Sequence, residues 1–228
     1  MQAMILAAGV GSRLRPLTDT IPKPMLPIRG QPLLVHTLQW LKRYGITQVA
    51  LNLHHLPEVV QQALDDGSQW GLQLHYSVER ELRGTAGAVK DQEAFWTDTF
   101  VVIYGDLLID IDLDALLDFH RARRALITVG LKHTDDPQSQ GMVELDSAGK
   151  LRRFVEKPAH WPEDQRSANA GIYIVEPEVL QHIPADRPSD WGHNILPLLI
   201  ANGAPVYGQL VEGQLVDIGT HAIYERLR

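Results

Sequence analysis

The sequence predicts an α/β fold with a mixed, mostly parallel central sheet and helices on both faces. Three observations support this prediction. Short apolar runs alternate with helical patterns through the first half of the chain, as in parallel sheets covered by helices. After about residue 110, short strand patterns are joined by Gly, Asp and Pro turns, which indicates a mixed sheet. No internal repeat, low-complexity tract or Gly/Ser linker interrupts the chain, so residues 1–228 are expected to form one domain.

The elements of the first half follow from the spacing of apolar residues. A buried strand is expected over residues 3–7, an amphipathic helix over 32–44 and a second strand over 46–53, directly after Gly45. The helix at 57–64 has Pro57 in its first turn, and Gly67 separates it from a strand near 72–76. A helix is expected over 86–94. Residues 100–104, Phe-Val-Val-Ile-Tyr, have the strongest strand pattern of the chain.

The second half begins with a helix over residues 116–124, which Asp112 or Asp114 is expected to cap because a short acid there accepts backbone N–H groups. Strands are expected over 125–132, 142–145, 151–155 and 170–175, and helices over 178–182 and 191–201. Residues 206–210 and 214–216 could form a hairpin around Glu212-Gly213. Residues 223–227 are expected to form a closing helix.

Composition excludes several classes of protein. The chain has no cysteine, which rules out disulfide scaffolds, thiolate metal sites and cysteine nucleophiles. Its net charge of −7 argues against nucleic-acid binding. No apolar stretch approaches the ~18 residues that span a bilayer, and the N-terminus lacks the basic start of a signal peptide. We therefore expect a cytoplasmic protein with neither a nucleic-acid nor a membrane partner.

The segment from residue 9 to residue 29 is basic although the whole chain is acidic. It contains Arg13, Arg15, Lys23 and Arg29 but only one acid, Asp19, which favours a site for a small polyanion. Residues 8–13, Ala-Gly-Val-Gly-Ser-Arg, follow the first predicted strand, and the N–H groups of such a loop can hold phosphate oxygens. Leu14 stands where the dinucleotide fingerprint needs its third glycine, which disfavours an NAD-linked oxidoreductase.

Several longer motifs point to one family. In chain order they are Arg13-Leu-Arg-Pro-Leu-Thr, Pro22-Lys-Pro, Gly84-Thr-Ala-Gly, Tyr104-Gly-Asp, Val155-Glu-Lys-Pro, Asn169-Ala-Gly and Val216-Asp-Ile-Gly-Thr. This ordered set resembles the sugar-1-phosphate nucleotidylyltransferases, and its pattern is most similar to the mannose- or heptose-1-phosphate guanylyltransferases and glucose-1-phosphate thymidylyltransferases. The resemblance implies a Rossmann-like fold of the nucleotide-diphospho-sugar transferase type, and no β-helical tail is expected. It also implies nucleotide binding by residues 1–110 and sugar-phosphate binding by residues 111–228.

The implied activity is transfer of a nucleotidyl group from an NTP to a sugar 1-phosphate with release of pyrophosphate. The second pKa of a phosphomonoester is ~6, so the attacking oxygen needs no protein base, whereas the meeting of two anions calls for Mg²⁺ and cationic side chains. Asp106 directly follows the strand at 100–104, which places it at the carboxyl edge of the sheet, where ligands bind in open α/β folds. Two carboxylates, Asp106 and Asp217, are sufficient protein ligands for Mg²⁺ because phosphate oxygens and water complete its shell.

The resemblance assigns further residues by role. Catalysis is expected from Arg13, Lys23 and Asp106, and metal binding from Asp106 and Asp217. The expected nucleotide-binding residues are Leu6, Ala8, Gly9, Gly11, Ser12, Glu79, Gly84 and Thr85. The expected sugar-phosphate residues are Gly141, Glu156, Lys157 and Asn169.

The sequence leaves the substrates open. A carboxylate at Glu79 can accept from guanine N1–H and its amino group, which favours GTP with mannose or heptose 1-phosphate. Uracil and thymine also offer one N–H donor, so uridylyl, thymidylyl or cytidylyl transfer to another sugar 1-phosphate or to phosphocholine stays an alternative. A different class of function is a non-catalytic nucleotide-sensing subunit, against which the retention of Arg13, Lys23, Asp106, Lys157 and Asp217 argues. A homo-oligomer is compatible with the sequence.

Overall fold

The protein is described by a computed structural model that covers all residues from 1 to 228. Up to residue 111 its strands and helices are β1 (Gln2–Leu6), β2 (Pro27–Ile28), β3 (Gln31–Pro32), α1 (Leu33–Arg43), β4 (Gln48–Leu53), α2 (Pro57–Leu64), β5 (Gln73–Val78), α3 (Gly84–Lys90), β6 (Phe100–Tyr104) and β7 (Leu107–Ile111). The remainder are α4 (Leu113–Arg123), β8 (Ile127–His133), β9 (Gly141–Leu145), β10 (Leu151–Glu156), β11 (Ser167–Val175), α5 (Leu196–Ala201), β12 (Val206–Leu210), β13 (Gly213–Asp217) and α6 (His221–Leu227). None of these helices has the length and apolar character that crossing a membrane requires.

The chain divides into two compact units that interleave along the sequence. The first unit contains Met1–Leu82, Ile103–Ile111 and Gly213–Arg228. The second unit contains Arg83–Val102 and Asp112–Glu212. Strand β6 is therefore shared, with Phe100–Val102 in the second unit and its last two residues in the first.

The first unit is built on parallel strands. Strand β4 pairs in parallel with β1 and with β5, and its residue Asn52 lies opposite Leu6 on one side and Ser77 on the other. Because parallel strands end at the same edge, the segments that follow β1, β4 and β5 begin side by side. This edge carries the glycine loop after β1 and Glu79 after β5.

A two-stranded ribbon completes the first unit. Strands β7 and β13 are antiparallel, and Asp217 lies opposite Leu107. Helix α1 packs against β7: the Trp40 indole N–H and the Tyr44 hydroxyl both donate to the Ile111 carbonyl, at 3.1 Å and 2.8 Å. The ribbon therefore carries both predicted metal ligands at one end, and α1 supports its other end.

The hairpin predicted over residues 206–216 is wrong. Strand β12 pairs in parallel with β8, whereas β13 pairs with β7. Gly213 explains why the chain leaves β12 here: its φ is +120°, and a Cβ at this position would lie 2.4 Å from the Asp110 carbonyl oxygen. Only a residue without a side chain lets β13 approach the backbone of β7 so closely.

The second unit is mixed, as the sequence predicts. Strand β11 pairs antiparallel with β8 and β9, β9 pairs antiparallel with β10, and β12 pairs parallel with β8. The Asp112 carboxylate accepts the Ala115 N–H at 3.0 Å, which confirms the predicted cap of α4. The helix predicted over 191–201 is a π-helical turn at Trp191–Ile195 followed by α5.

Candidate active site

At one position, the glycine loop of the first unit has a backbone conformation that favours glycine. Gly11 has φ +67°, and a Cβ there would lie 3.0 Å from Thr18 Cγ2 and 3.1 Å from Lys23 Cβ. The Gly11 carbonyl accepts the Thr18 hydroxyl at 2.9 Å and the Leu14 N–H at 2.9 Å. At Gly9, in contrast, an added Cβ would have no atom within 4 Å, so the loop is open at that residue.

Lys23 is buried between two carboxylates. It is the first residue of a short 3-10 turn, Lys23–Met25, it stands between Pro22 and Pro24 in the sequence, and only 7% of the residue is exposed. Its Nζ donates to Asp106 Oδ2 at 2.5 Å and lies 3.6 Å from Asp217 Oδ1. Burying an ammonium group is costly unless opposite charges surround it, and the two carboxylates meet that condition.

The carboxylates of Asp106 and Asp217 come together through the β7–β13 ribbon. Asp106 directly precedes β7, Asp217 is the last residue of β13, and the Ile218 N–H donates to the Asp106 carbonyl at 3.0 Å. The protein has no group of three or more His, Cys, Asp or Glu side chains placed to hold a metal ion. Two carboxylates already arranged around a cationic group nevertheless suit Mg²⁺, which takes few protein ligands when it also binds phosphate oxygens and water.

An apolar cluster holds these segments in place. Its buried members come from the turn after the glycine loop, the residues that follow Pro22-Lys-Pro, the start of α1, β7, the residue after Asp217 and α6. They are Leu14, Leu26, Ile28, Leu33, Leu108, Ile218 and Tyr224. Each segment that carries a charged residue of the site therefore also contributes a side chain to one packed core, which limits how far the charged groups can move apart.

The first unit also contains a cavity of about 220 Å³ at this place. It is lined by Gly9, Gly11, Ser12, Arg13, Leu14, Lys23, Asp106 and Gly219. Besides Asp106, the cavity brings together five residues of the sequence prediction: the nucleotide-binding Gly9, Gly11 and Ser12 and the catalytic Arg13 and Lys23. The sequence prediction missed Gly219, although its Asp-Ile-Gly-Thr segment was recognised; a Cβ there would lie 3.2 Å from both Arg13 Nη1 and Asp217 Oδ1.

The remaining nucleotide residues of the first unit lie at the ends of the parallel strands. The Leu6 carbonyl accepts the Gly105 N–H at 2.9 Å, and Ala8 is 6% exposed. Glu79 is 7% exposed and accepts from Asn52 Nδ2 at 2.9 Å. Asn52 was not recognised from the sequence, since a single asparagine at a strand end has no distinctive pattern.

Gly84 and Thr85 lie in the second unit, at the start of α3. Gly84 has φ +75°, and a Cβ would lie 2.5 Å from the Ser189 carbonyl oxygen. Thr85 donates through both its N–H and its hydroxyl to Asp190 Oδ1, each at 3.0 Å. The next two N–H groups of the helix donate to the Ser189 carbonyl. The first turn of α3 is therefore held by residues 189–190, which the sequence did not indicate.

The predicted sugar-phosphate residues also lie in the second unit. Gly141 is opposite Glu156 in the β9–β10 pair, and a Cβ on Gly141 would lie 2.7 Å from Glu156 Oε2. Lys157 has φ +46°, and its Nζ is 4.0 Å from Glu156 Oε1. Asn169 donates through Nδ2 to the Tyr173 hydroxyl at 2.6 Å.

Comparison with known proteins identifies the family. The sequence model of the nucleotidyl transferase family matches residues 2–227, so the chain belongs to that family. Its relatives include a UTP–glucose-1-phosphate uridylyltransferase from Synechocystis (40% identical over 233 residues, 96% of this chain and 60% of that protein). They also include a mannose-1-phosphate guanylyltransferase from Mycobacterium tuberculosis (38% identical over 222 residues, 96% and 61%). The chain spans about 60% of the length of these relatives.

Solved structures confirm the fold. A crystal structure from Bacillus anthracis, provisionally assigned as a glucose-1-phosphate thymidylyltransferase and containing sucrose, superposes with a TM-score of 0.86. It is 27% identical and covers all of this chain and 93% of its own. HddC from Yersinia pseudotuberculosis, solved with GMP-PN, gives a TM-score of 0.80 at 24% identity over 99% and 97% of the two chains, which supports the fold alone. The predicted α/β class and the resemblance to the nucleotidylyltransferases are both confirmed.

Proposed function

We propose that the chain is an enzyme that transfers a nucleotidyl group from an NTP to a sugar 1-phosphate, with Mg²⁺, giving an NDP-sugar and pyrophosphate. The observation that carries the proposal is the Lys23 ammonium group between two carboxylates, 2.5 Å from Asp106 and 3.6 Å from Asp217, in a cavity lined by the glycine loop and Arg13. Family membership and relatives named as sugar-1-phosphate nucleotidylyltransferases support it.

The reaction needs alignment and charge neutralisation more than proton transfer. A phosphate oxygen of the sugar 1-phosphate forms a bond to the α-phosphorus, the bond from that phosphorus to the bridging oxygen of the β-phosphate breaks, and pyrophosphate leaves with the electron pair. The attacking oxygen is already largely ionised at neutral pH because its second pKa is ~6, so no side chain must accept a proton. The chain has to hold two anions in line and stabilise the charge that develops.

The residues of the first unit suit the triphosphate. The N–H groups of residues 9–12 bind phosphate oxygens, and the Arg13 guanidinium can engage them through two parallel hydrogen bonds. The Lys23 ammonium contacts the Asp106 carboxylate. When another cation takes its place there, the ammonium binds the reacting phosphate. Asp106 and Asp217 would hold Mg²⁺, which supplies charge neutralisation at the α-phosphoryl group and at the departing pyrophosphate.

The residues of the second unit suit the sugar 1-phosphate. The Lys157 ammonium binds its phosphate, the Glu156 carboxylate accepts hydrogen bonds from sugar hydroxyls, and Asn169 and the backbone at Gly141 line the sugar ring. The strand register places Glu156 opposite Gly141, where the missing side chain leaves room for the carboxylate: a Cβ there would lie 2.7 Å from Oε2. Gly84 and Thr85 contribute to nucleotide binding through the fixed first turn of α3.

GTP with mannose or heptose 1-phosphate is the first choice of substrates. Glu79 offers a buried carboxylate, which can accept from two adjacent N–H donors of guanine. The 40% identity to a UTP–glucose-1-phosphate uridylyltransferase favours uridylyl transfer as the second candidate. The proposal places the protein in the cytoplasm, where NTPs are made.

A substrate panel tests the proposal. Four NTPs are combined with several sugar 1-phosphates and with phosphocholine, and pyrophosphate release is followed with and without Mg²⁺. We expect pyrophosphate release that depends on Mg²⁺ and that is fastest with one combination of NTP and sugar 1-phosphate. Nucleotide binding without turnover in any pair would favour a sensing subunit and reject the enzyme.

Asp106→Asn tests the residue assignment. The variant keeps the size of the side chain but loses a metal ligand and a partner of Lys23, so turnover should fall about 100-fold or more. Asp110→Asn is the matched control, since Asp110 lies on the adjoining strand β7 and pairs with Arg43 on the surface at 2.6 Å. Equal rates in the Asp106 variant and the control would contradict the assignment.

A further inference from the structure

One buried amide side chain links the glycine loop to Glu79. Asn52, near the end of β4, is 4% exposed. Its Oδ1 accepts the Ala7 N–H at 2.8 Å, and its Nδ2 donates to Glu79 Oε1 at 2.9 Å. Ala7 is the first residue after β1, so a single side chain connects the start of the glycine loop with the carboxylate that follows β5.

The partners of Asn52 determine the orientation of its amide. The Ala7 backbone offers only a donor on this side and the Glu79 carboxylate offers only acceptors, so the oxygen must face Ala7 and the nitrogen must face Glu79. The parallel register explains the placement, because Asn52 stands opposite Leu6 on β1 and opposite Ser77 on β5. Neither an aspartate nor an aliphatic residue could satisfy both neighbours.

Glu79 is fixed at its backbone as well as at its carboxylate. Its N–H donates to the Leu53 carbonyl at 2.7 Å, and its carbonyl contacts His54 Nδ1 at 2.9 Å. With the main chain tied, the hydrogen bond from Asn52 fixes the position of Oε1 and so contributes to the direction of the carboxylate. Because hydrogen bonds weaken steeply with misalignment, this direction decides which base donors the carboxylate can serve.

We propose that Asn52 is a positioning residue for nucleotide selection, which orients the Glu79 carboxylate as an acceptor for paired base N–H groups and ties that acceptor to the phosphate-binding loop. The inference rests on the proposed function. It deepens that function by naming the class of base, one with two adjacent N–H donors such as guanine. A base with a single N–H donor makes less use of the fixed carboxylate.

Asn52→Asp separates the two contacts of the side chain. Its Oδ1 still accepts from Ala7, but an oxygen replaces the nitrogen 2.9 Å from Glu79, so the donor is lost and two acids face each other. We expect KM for GTP to rise about 10-fold or more, as when a hydrogen bond to a charged group is lost, with a smaller change in kcat and in KM for the sugar 1-phosphate. The ratio of kcat/KM for GTP to that for UTP should fall by a similar factor.

Two further variants make the test specific. Gln48→Glu adds the same charge at the other, exposed end of β4 and can still accept from Gln2, so it should leave the GTP/UTP ratio unchanged. The double variant Asn52→Asp with Glu79→Gln restores a donor facing an acceptor, because the amide introduced at position 79 can donate to the carboxylate introduced at position 52. Its unfolding midpoint should recover, whereas its GTP/UTP ratio should stay low because one acceptor oxygen has been replaced.

The outcomes distinguish this inference from the proposed function. An Asn52→Asp variant with the wild-type GTP/UTP ratio would overturn the role of Asn52. A double variant that regains both stability and the ratio would overturn the selection of paired base N–H groups by the two oxygens of Glu79. If the wild type turns over no pair of NTP and sugar 1-phosphate, the enzyme proposal fails. The preference for GTP over UTP is then measured as a ratio of affinities, by displacement of a fluorescent GTP analogue with unlabelled GTP and UTP. A wild type that binds neither nucleotide rejects both.

Discussion

Gly192 leaves room for the Glu156 carboxylate, and Gly192→Ala should disturb sugar binding without unfolding the protein. A Cβ at this position would lie 2.8 Å from Glu156 Oε2 and 3.0 Å from Phe154 Cε1. Ordinary contacts begin at 3.4 Å, so the carboxylate oxygen must move by about 0.6 Å. Because this oxygen is the end of a flexible side chain, the shift should lower the free energy of unfolding only slightly. It displaces, however, the carboxylate that is proposed to bind the sugar.

A displacement of this size weakens a charge-assisted hydrogen bond. If one bond to a sugar hydroxyl is lost, the expected cost is about 1.4 kcal/mol, which corresponds to a tenfold higher KM for the sugar 1-phosphate. KM for the NTP should change much less, because the atoms nearest to the added Cβ belong to Glu156 and Phe154 and to none of the proposed nucleotide-binding residues. The measurement is initial-rate kinetics of pyrophosphate release with each substrate varied in turn.

Two controls identify the cause of the effect. Gly208→Ala creates similar crowding, with a Cβ 2.6 Å from Leu131 Cδ1, but against an apolar side chain of the same unit; it should lower stability and leave KM unchanged. In a Glu156→Ala background the effect of Gly192→Ala on the sugar should disappear, since the carboxylate is gone. An unchanged sugar KM in a folded Gly192→Ala protein, or an equal rise in both KM values, would refute this reasoning.

Two stability predictions concern the packing around the site and a buried histidine. Leu108→Ala should lower the free energy of unfolding by about 2–5 kcal/mol in urea titrations, because Leu108 is 4% exposed in the apolar cluster, whereas Leu210→Ala, at a residue 41% exposed, should change it little. Burial lowers the pKa of His120 from its ordinary 6.5. His120 therefore takes up a proton at a lower pH in the folded chain than in the unfolded chain. The free energy of unfolding should therefore be highest above about pH 6.5 and should decline below that pH. His120→Gln should flatten this decline and the exposed His193→Gln should not; equal pH slopes in both variants would contradict the assignment to His120.

Local sequence signals predicted much of the fold. Strand β6 and helix α2 lie at the predicted residues, because a continuous β-branched and aromatic run and a proline-initiated amphipathic pattern are determined within the segment itself. Strand β7 was not predicted, since Asp110 interrupts its short apolar run and Asp106 and Asp112 lie directly on either side of it. Without β7 as a known partner, β13 was assigned to the wrong neighbour. Strand pairing depends on residues far apart in sequence, which periodicity does not report.

The candidate site shows the same limit. Arg13, Lys23 and Asp106 stand in motifs long enough to recognise, and the structure places them around one cavity. The sequence assigned no role to Asn52, Asp190 or Gly192. Their importance comes from distances to Glu79, Glu156 and Thr85, which arise only after the chain has folded.

The β7–β13 ribbon also sets the moment at which the proposed nucleotide site can form. Lys23, Asp106 and β7 are synthesised well before Asp217 and the strand that pairs with β7. A nascent chain can therefore pair β1, β4 and β5 long before it can bind a nucleotide, and stabilisation by bound ligand begins only once residues 213–217 have joined β7. A chain interrupted before residue 213 would retain the parallel strands of the first unit but would have one unpaired strand and a lysine facing a single aspartate.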